Sequence, residues 1–187
     1  MIKVKNMFIV HGYQANTESH WFQWLADQMK PYGYNLEIVY LPDSDCPSFE
    51  AWYQAIQNSM QNNLNSETII VAHSLGVIST LNYLTSMLNV PTIKGLFLVS
   101  GFNEKLSNLI ELNQYIDCIN INLNNLHAQH IVTTGAINDP VVNIDATDRL
   151  SEQLNVKTTY VNHNGHFLAT EGYNSFNFLK DKIIEIL

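Results

Sequence analysis

Positive charge is scarce in this sequence, with nine Lys and Arg against seventeen Asp and Glu and a formal net charge of −8. Arg149 is the sole arginine, and the lysines are scattered along the chain. Nucleic-acid binding needs clustered cations to neutralise phosphates, so no nucleic-acid partner is expected. Cysteine is nearly absent. Cys46 and Cys118 form no metal-binding or redox spacing and are too few for a disulfide scaffold. Free thiols in a reducing compartment fit that count, and a cytoplasmic location is expected. No apolar run approaches the roughly 18 residues of a membrane span, so no membrane partner is expected. The opening "MIKVKNMFIV" has only a short apolar run before His11-Gly12, so no secretory leader is expected. No internal repeat is visible, and no low-complexity linker interrupts the sequence.

What remains is a well-mixed chain of 187 residues, 46% hydrophobic and 14% charged. That length and balance predict one packed globular domain over residues 1–187. Short apolar runs alternate with longer amphipathic stretches. Strands are predicted at Met7–Val10, Leu36–Leu41, Thr68–Ala72, Leu96–Val99, His130–Thr134 and Val156–Val161. Several are continuously apolar, as parallel strands covered on both faces require. Helices are predicted at Ser19–Lys30, Ser48–Asn63, Leu75–Leu88, Ile144–Leu154 and Tyr173–Ile186. In the third, Val77, Ile78, Leu81, Leu84 and Leu88 recur at the spacing of a buried stripe. The stretch Asn103–Gln129 is expected to hold one or two short helices. The fold class is α/β, a compact, doubly wound and mostly parallel sheet of about six strands with helices on both faces.

In such sheets ligands bind beyond the carboxyl ends of the strands, so the residues after each strand carry the functional signal. His11-Gly12-Tyr13 follow the first strand and His73-Ser74-Leu75-Gly76 the third. Ser100-Gly101-Phe102 follow the fourth, Asn138-Asp139-Pro140 the fifth, and "NHNGHF", Asn162 to Phe167, the sixth. A serine, an aspartate and a histidine thus fall at one sheet edge in that order.

Ala72-His73-Ser74-Leu75-Gly76 is a near match to the nucleophile elbow G-x-S-x-G, with alanine in place of the first glycine. A sharp strand-to-helix turn lifts a serine hydroxyl clear of the sheet and sets it at a helix N-terminus. The Leu75 N–H there can receive an oxyanion, and Gly12 lets the first loop approach so that the Tyr13 N–H can be the second donor. Serine needs an adjacent base. His166 is preferred over His163, because Gly165 makes the preceding turn permissive and Phe167 begins an apolar anchor. His73 is expected to aim away from Ser74, and His11, His20, His127 and His130 to be satisfied or solvated. Asp139 is the expected acid, with an ordinary N-cap or Asx turn as its other reading. No histidine pair has metal-ligand spacing with a carboxylate, so no metal and no cofactor are expected.

Together "VHGYQANTESHWFQWL", "VAHSLG", "INDPVV" and "NGHF" resemble the small serine hydrolases typified by retinoblastoma-binding protein nine and its bacterial relatives, compact members of the α/β-hydrolase superfamily. The resemblance spans His11 to Phe167. It places nucleophile, acid and base on Ser74, Asp139 and His166, and implies a carboxylesterase-like enzyme. The family's retinoblastoma-binding motif, Leu-x-Cys-x-Glu, has no counterpart, so that partner is not implied. The chain leaves no insertion for a lid domain. A shallow site is therefore expected, with Gly12, Tyr13, Trp21, Phe102 and Phe167 as its lining and Trp24 in the core. Small esters or thioesters suit it as substrates. A hydrolase-fold binding protein with little turnover, or an aminopeptidase or amidase, are the other readings, and the oligomeric state is open.

Overall fold

The computed structural model describes residues 3–187; Met1 and Ile2, at the head of the segment read for a leader, lie outside the described residues. Six strands form one sheet: β1 (Asn6–Val10), β2 (Asn35–Val39), β3 (Ile69–His73), β4 (Ile93–Val99), β5 (Ala128–Ala136) and β6 (Thr159–Val161). Their order is β2-β1-β3-β4-β5-β6, and every pairing is parallel. The helices are α1 (Phe22–Met29), α2 (Phe49–Met60), α3 (Leu75–Ser86), α4 (Asn113–Asp117), α5 (Ile144–Gln153) and α6 (Asn177–Ile184).

Alternation along each central strand sorts side chains onto two cores. Phe8, Val10, Ile70, Ala72, Leu96 and Leu98 pack with residues of α2, α3, α4 and α5. Met7, Ile9, Ile69, Val71, Phe97 and Val99 pack with α1 and α6 on the opposite face. Burial on both faces explains why these strands read as unbroken apolar runs. Helix α3 is buried from Leu75 through Thr85, which explains its nearly all-round apolarity.

The differences from expectation sit at element ends. Helix α1 begins at Phe22 instead of Ser19, because His20 takes a left-handed φ of 55°, which stops the helix before it. Helix α3 stops at Ser86, so Leu88 lies outside it and is 97% exposed, not part of the buried stripe. The last predicted helix, Tyr173–Ile186, shortens to α6 at Asn177–Ile184, and a separate 3-10 turn, Ala169–Glu171, precedes it and ends at the left-handed Gly172. Between β4 and β5 the chain forms only short helical turns and α4, and no lid is seen among the described residues.

The strand order reverses between β1 and β3, which makes that crevice the switch point where such sheets bind ligands. Gly12 follows β1 and Ser74 follows β3. Both therefore lie at this crevice.

Candidate active site

Ser74 links β3 directly to α3 with φ 55° and ψ −124°. A non-glycine residue seldom adopts that conformation, which carries about 1–3 kcal/mol of strain. The surroundings hold it there. Ser74 N–H donates to the Val99 carbonyl at 2.9 Å, and Val77 N–H donates to the Ser74 carbonyl at 2.9 Å. Gly76 is forced by the same bend: a Cβ there would lie 2.6 Å from the Val10 carbonyl oxygen and closer still to that of His11. Ala72 is accommodated in the core without a left-handed φ, so the departure from the glycine pattern costs the turn nothing visible.

Gly12 makes the close approach predicted for it. A Cβ on Gly12 would stand 2.9 Å from Ser74 Cβ and 3.3 Å from the Leu75 nitrogen. The first loop therefore passes directly over the start of α3. As the first residue of the helix, Leu75 has an N–H with no intrahelical acceptor. Tyr13, the next residue, lines a cavity beside Ser74, whereas Gly12, expected as lining, is buried by its close approach to Ser74 and is not part of the cavity wall.

Asp139 is held by four hydrogen bonds. Oδ1 accepts from Val141 N–H at 2.8 Å and Val142 N–H at 3.0 Å. Oδ2 accepts from Ser100 Oγ at 2.8 Å and stands 2.7 Å from His166 Nδ1. The carboxylate is nearly sealed from solvent, its side chain 1% exposed beside a His166 side chain at 5%. Acceptance of the Nδ1–H by Asp139 leaves Nε2 of the neutral ring as a base. His163, the competing histidine, lies instead beside Glu171, 3.4 Å from its carboxylate.

Ser74, His166 and Tyr13 line one cavity of about 290 Å³, completed by Gln14, His20, Leu109, Glu111, Val141 and Leu168. Among the described residues no direct hydrogen bond joins Ser74 Oγ to His166. Contacts of this kind are often long in unliganded sites and tighten around substrate.

The aromatic lining needs correction. Trp21, Phe102 and Phe167 are each 0% exposed and belong to the cores, Phe102 against α3 and the other two against α1 and α6. Large apolar rings beside a sheet edge gain more from burial than from waiting in an open crevice. The apolar surface comes instead from Tyr13, Leu109, Val141 and Leu168.

His20 is a wall residue that sequence reasoning passed over. Its Nδ1 accepts the Ala169 N–H at 3.1 Å, which places its own proton on Nε2. Burial, then the nearby His166, pushes its pKa down. His73 does turn from Ser74. Its Nε2–H donates to the His166 carbonyl at 2.9 Å, and complete burial holds its pKa well below the ordinary value. His11 is buried and satisfied, its Nδ1–H donating to the Gly12 carbonyl at 2.9 Å and its Nε2 accepting Leu41 N–H at 3.3 Å. Among the described residues no group of His, Cys, Asp and Glu is arranged to hold a metal ion. No helix there is long and apolar enough to cross a membrane.

Comparison with known proteins agrees with this geometry at the level of fold and family. Residues 7–183 match the family described as "Serine hydrolase". The YdeN protein of Bacillus subtilis (strain 168) is 30% identical over 178 residues, covering 95% of this chain and 93% of that protein. The crystal structure of the ydeN gene product superposes with a TM-score of 0.91, at 29% identity over 98% of each chain. Est1E from Butyrivibrio proteoclasticus has the same fold at 14% identity, with a TM-score of 0.68 over 98% of this chain and 89% of its own. The Pyrococcus furiosus esterase Pf2001, at 11% identity, gives a TM-score of 0.62 over 99% of this chain and 80% of its own.

Proposed function

The chain belongs to the serine hydrolase family, and from that premise we propose that it cleaves small carboxylic esters or thioesters through an acyl-enzyme on Ser74. The observation that carries this reading is the sealed Asp139–His166 pair at 2.7 Å, whose histidine lines the same cavity as a serine in a strained strand-to-helix turn. His166 Nε2 takes the Ser74 proton as Oγ attacks the carbonyl carbon, then delivers it to the leaving oxygen or sulfur. Asp139 keeps the imidazole in the required tautomer and balances the imidazolium charge. The N–H groups of Leu75 and Tyr13 receive the oxyanion, where water exclusion strengthens them. Water, activated by the same histidine, then releases the acyl group.

Substrate size follows from the cavity. About 290 Å³ stands at the bottom of the range for small-molecule sites, which favours short acyl groups over long lipid chains. The apolar wall of Tyr13, Leu109, Val141 and Leu168 suits an aliphatic acyl group. Glu111 is the one carboxylate of the lining, which disfavours anionic substrates. The esterase neighbours share the fold and so lend general support to ester chemistry.

A series of p-nitrophenyl esters from acetate to palmitate tests the reading. Activity peaking at short chains, and falling about 10⁴-fold or more in Ser74→Ala, is the expected result. Equal turnover of that variant, or a preference for the longest chains, would refute it.

A further inference from the structure

His166 stands on the loop after β6, and its backbone is gripped from both sides. Its N–H donates to Glu171 Oε2 at 2.8 Å, while its carbonyl accepts the His73 Nε2–H at 2.9 Å. The same Glu171 oxygen also accepts the Leu168 N–H at 2.9 Å. One carboxylate oxygen thus spans Phe167, which lies between its two donors with a left-handed φ of 59°. Such a conformation in a bulky residue carries about 1–3 kcal/mol of strain and persists only where neighbours enforce it. Charge-assisted bonds to backbone N–H groups, roughly twice as strong as neutral ones, are suited to enforcing it. Gly165 leaves the room required, since a Cβ there would lie 2.5 Å from Glu171 Cδ and Oε2 and equally close to His163 Nε2.

We propose that Glu171 is a positioning residue for His166, bridging the N–H groups of residues 166 and 168 so that the imidazole stays aimed between Asp139 and Ser74. His73 completes the grip from the sheet side. The proposal rests on the hydrolase reading for its effect on turnover, but not for its effect on the ring itself. Misplacing a catalytic group by about 1 Å can cost about 10²-fold in rate, and the loop has that freedom once its carboxylate tie is gone.

Three variants, Glu171→Ala, Glu171→Gln and Gly165→Ala, distinguish positioning from bulk stability. Turnover of a short ester, the melting temperature and the downfield proton NMR signal of His166 Nδ1–H are the readouts. Glu171→Ala should lower kcat about 10–100-fold with KM within about two-fold, and broaden or abolish the NMR signal. Glu171→Gln should recover most of the loss and the signal, because its amide oxygen accepts the same two N–H groups. Gly165→Ala should repeat the Ala result by pushing the carboxylate aside, and it carries the test should Glu171→Ala fail to fold. A Glu171→Ala protein with a sharp signal and near-normal kcat would overturn the proposal. So would a Gln variant as impaired as Ala, with both strongly destabilised. If the wild type hydrolyses no ester while the signal still responds as described, the positioning role stands and the hydrolase reading falls.

Discussion

Ser100 shows how a single hydroxyl can matter without touching substrate. Its Oγ–H donates to Asp139 Oδ2, the oxygen that faces His166. Deleting it leaves Asp139 three of its four bonds, so the carboxylate stays placed but loses one restraint on direction. Ser100→Ala should lower kcat/KM about 3–10-fold, below the full 1.5–3 kcal/mol worth of a hydrogen bond to a charged group. Asp139→Asn should cost about 10⁴-fold, because an amide can present a donor to Nδ1 and favour the wrong tautomer. Steady-state kinetics on a short ester separate the two, and equal losses would contradict the account. Residue-scale chemistry was legible unevenly. Ser74, Asp139 and His166 could be read as candidates because each closely follows a strand. Ser100 also follows a strand, but nothing local says that its hydroxyl meets a carboxylate 39 residues away. Glu171 and His73 act through backbone atoms of the His166 loop, Glu171 from only five residues away and His73 from strand β3, and the sequence carries no pattern for either contact.

At the scale of elements, the bend between β3 and α3 depends on how closely α3 begins against the end of β1. Gly76 permits that contact. Gly76→Ala would drive a methyl group against the Val10 and His11 carbonyl oxygens, which are main-chain atoms and cannot rotate away. Overpacking of this kind costs about 1–3 kcal/mol, and strain against backbone places this site at the upper end. A urea titration should show the midpoint lowered, with activity impaired beyond the stability loss because Leu75 N–H moves with the helix start. An unchanged midpoint would contradict the tight apposition. Elements themselves were easy to read, since the central strands β1, β3 and β4 are largely apolar and α2 and α5 keep their amphipathic spacing. Boundaries were not. The early stop of α3 at Ser86 and the late start of α1 at Phe22 are set by tertiary packing and backbone dihedrals, not by side-chain periodicity. The choice of lining aromatics failed for a related reason: residue type shows that a ring is apolar, not whether it turns into the core or the crevice.

Across the whole molecule, three histidines must stay neutral for the fold to close. A second proton on His73 would fall on Nδ1, a buried atom without a partner. On His11 it would meet the Leu41 N–H, and on His20 the Ala169 N–H, donor against donor. Burial, the largest cause in each case, pushes all three below the ordinary imidazole value of 6.5. Depressed folded values mean that the unfolded chain binds more protons below that pH. Their stabilising contribution is therefore fully present above about pH 6.5 and is lost as the pH falls. Each contributes up to about 1.4 kcal/mol per pH unit between the unfolded and folded values, less for the partly buried His20. Urea unfolding at a series of pH values from 8 to 5 should show falling stability, and His73→Gln should flatten the slope by about one proton. A wild type that gains stability on acidification would contradict the assignment of these tautomers.

The most direct test of the central claim is intact mass spectrometry after treatment with a fluorophosphonate probe, with peptide mapping of the adduct. The account predicts a single adduct on Ser74 in the wild type, none in Ser74→Ala, and strongly slowed labelling in His166→Ala but not in His163→Ala. An adduct on another residue, or labelling of Ser74→Ala at the wild-type rate, would contradict it.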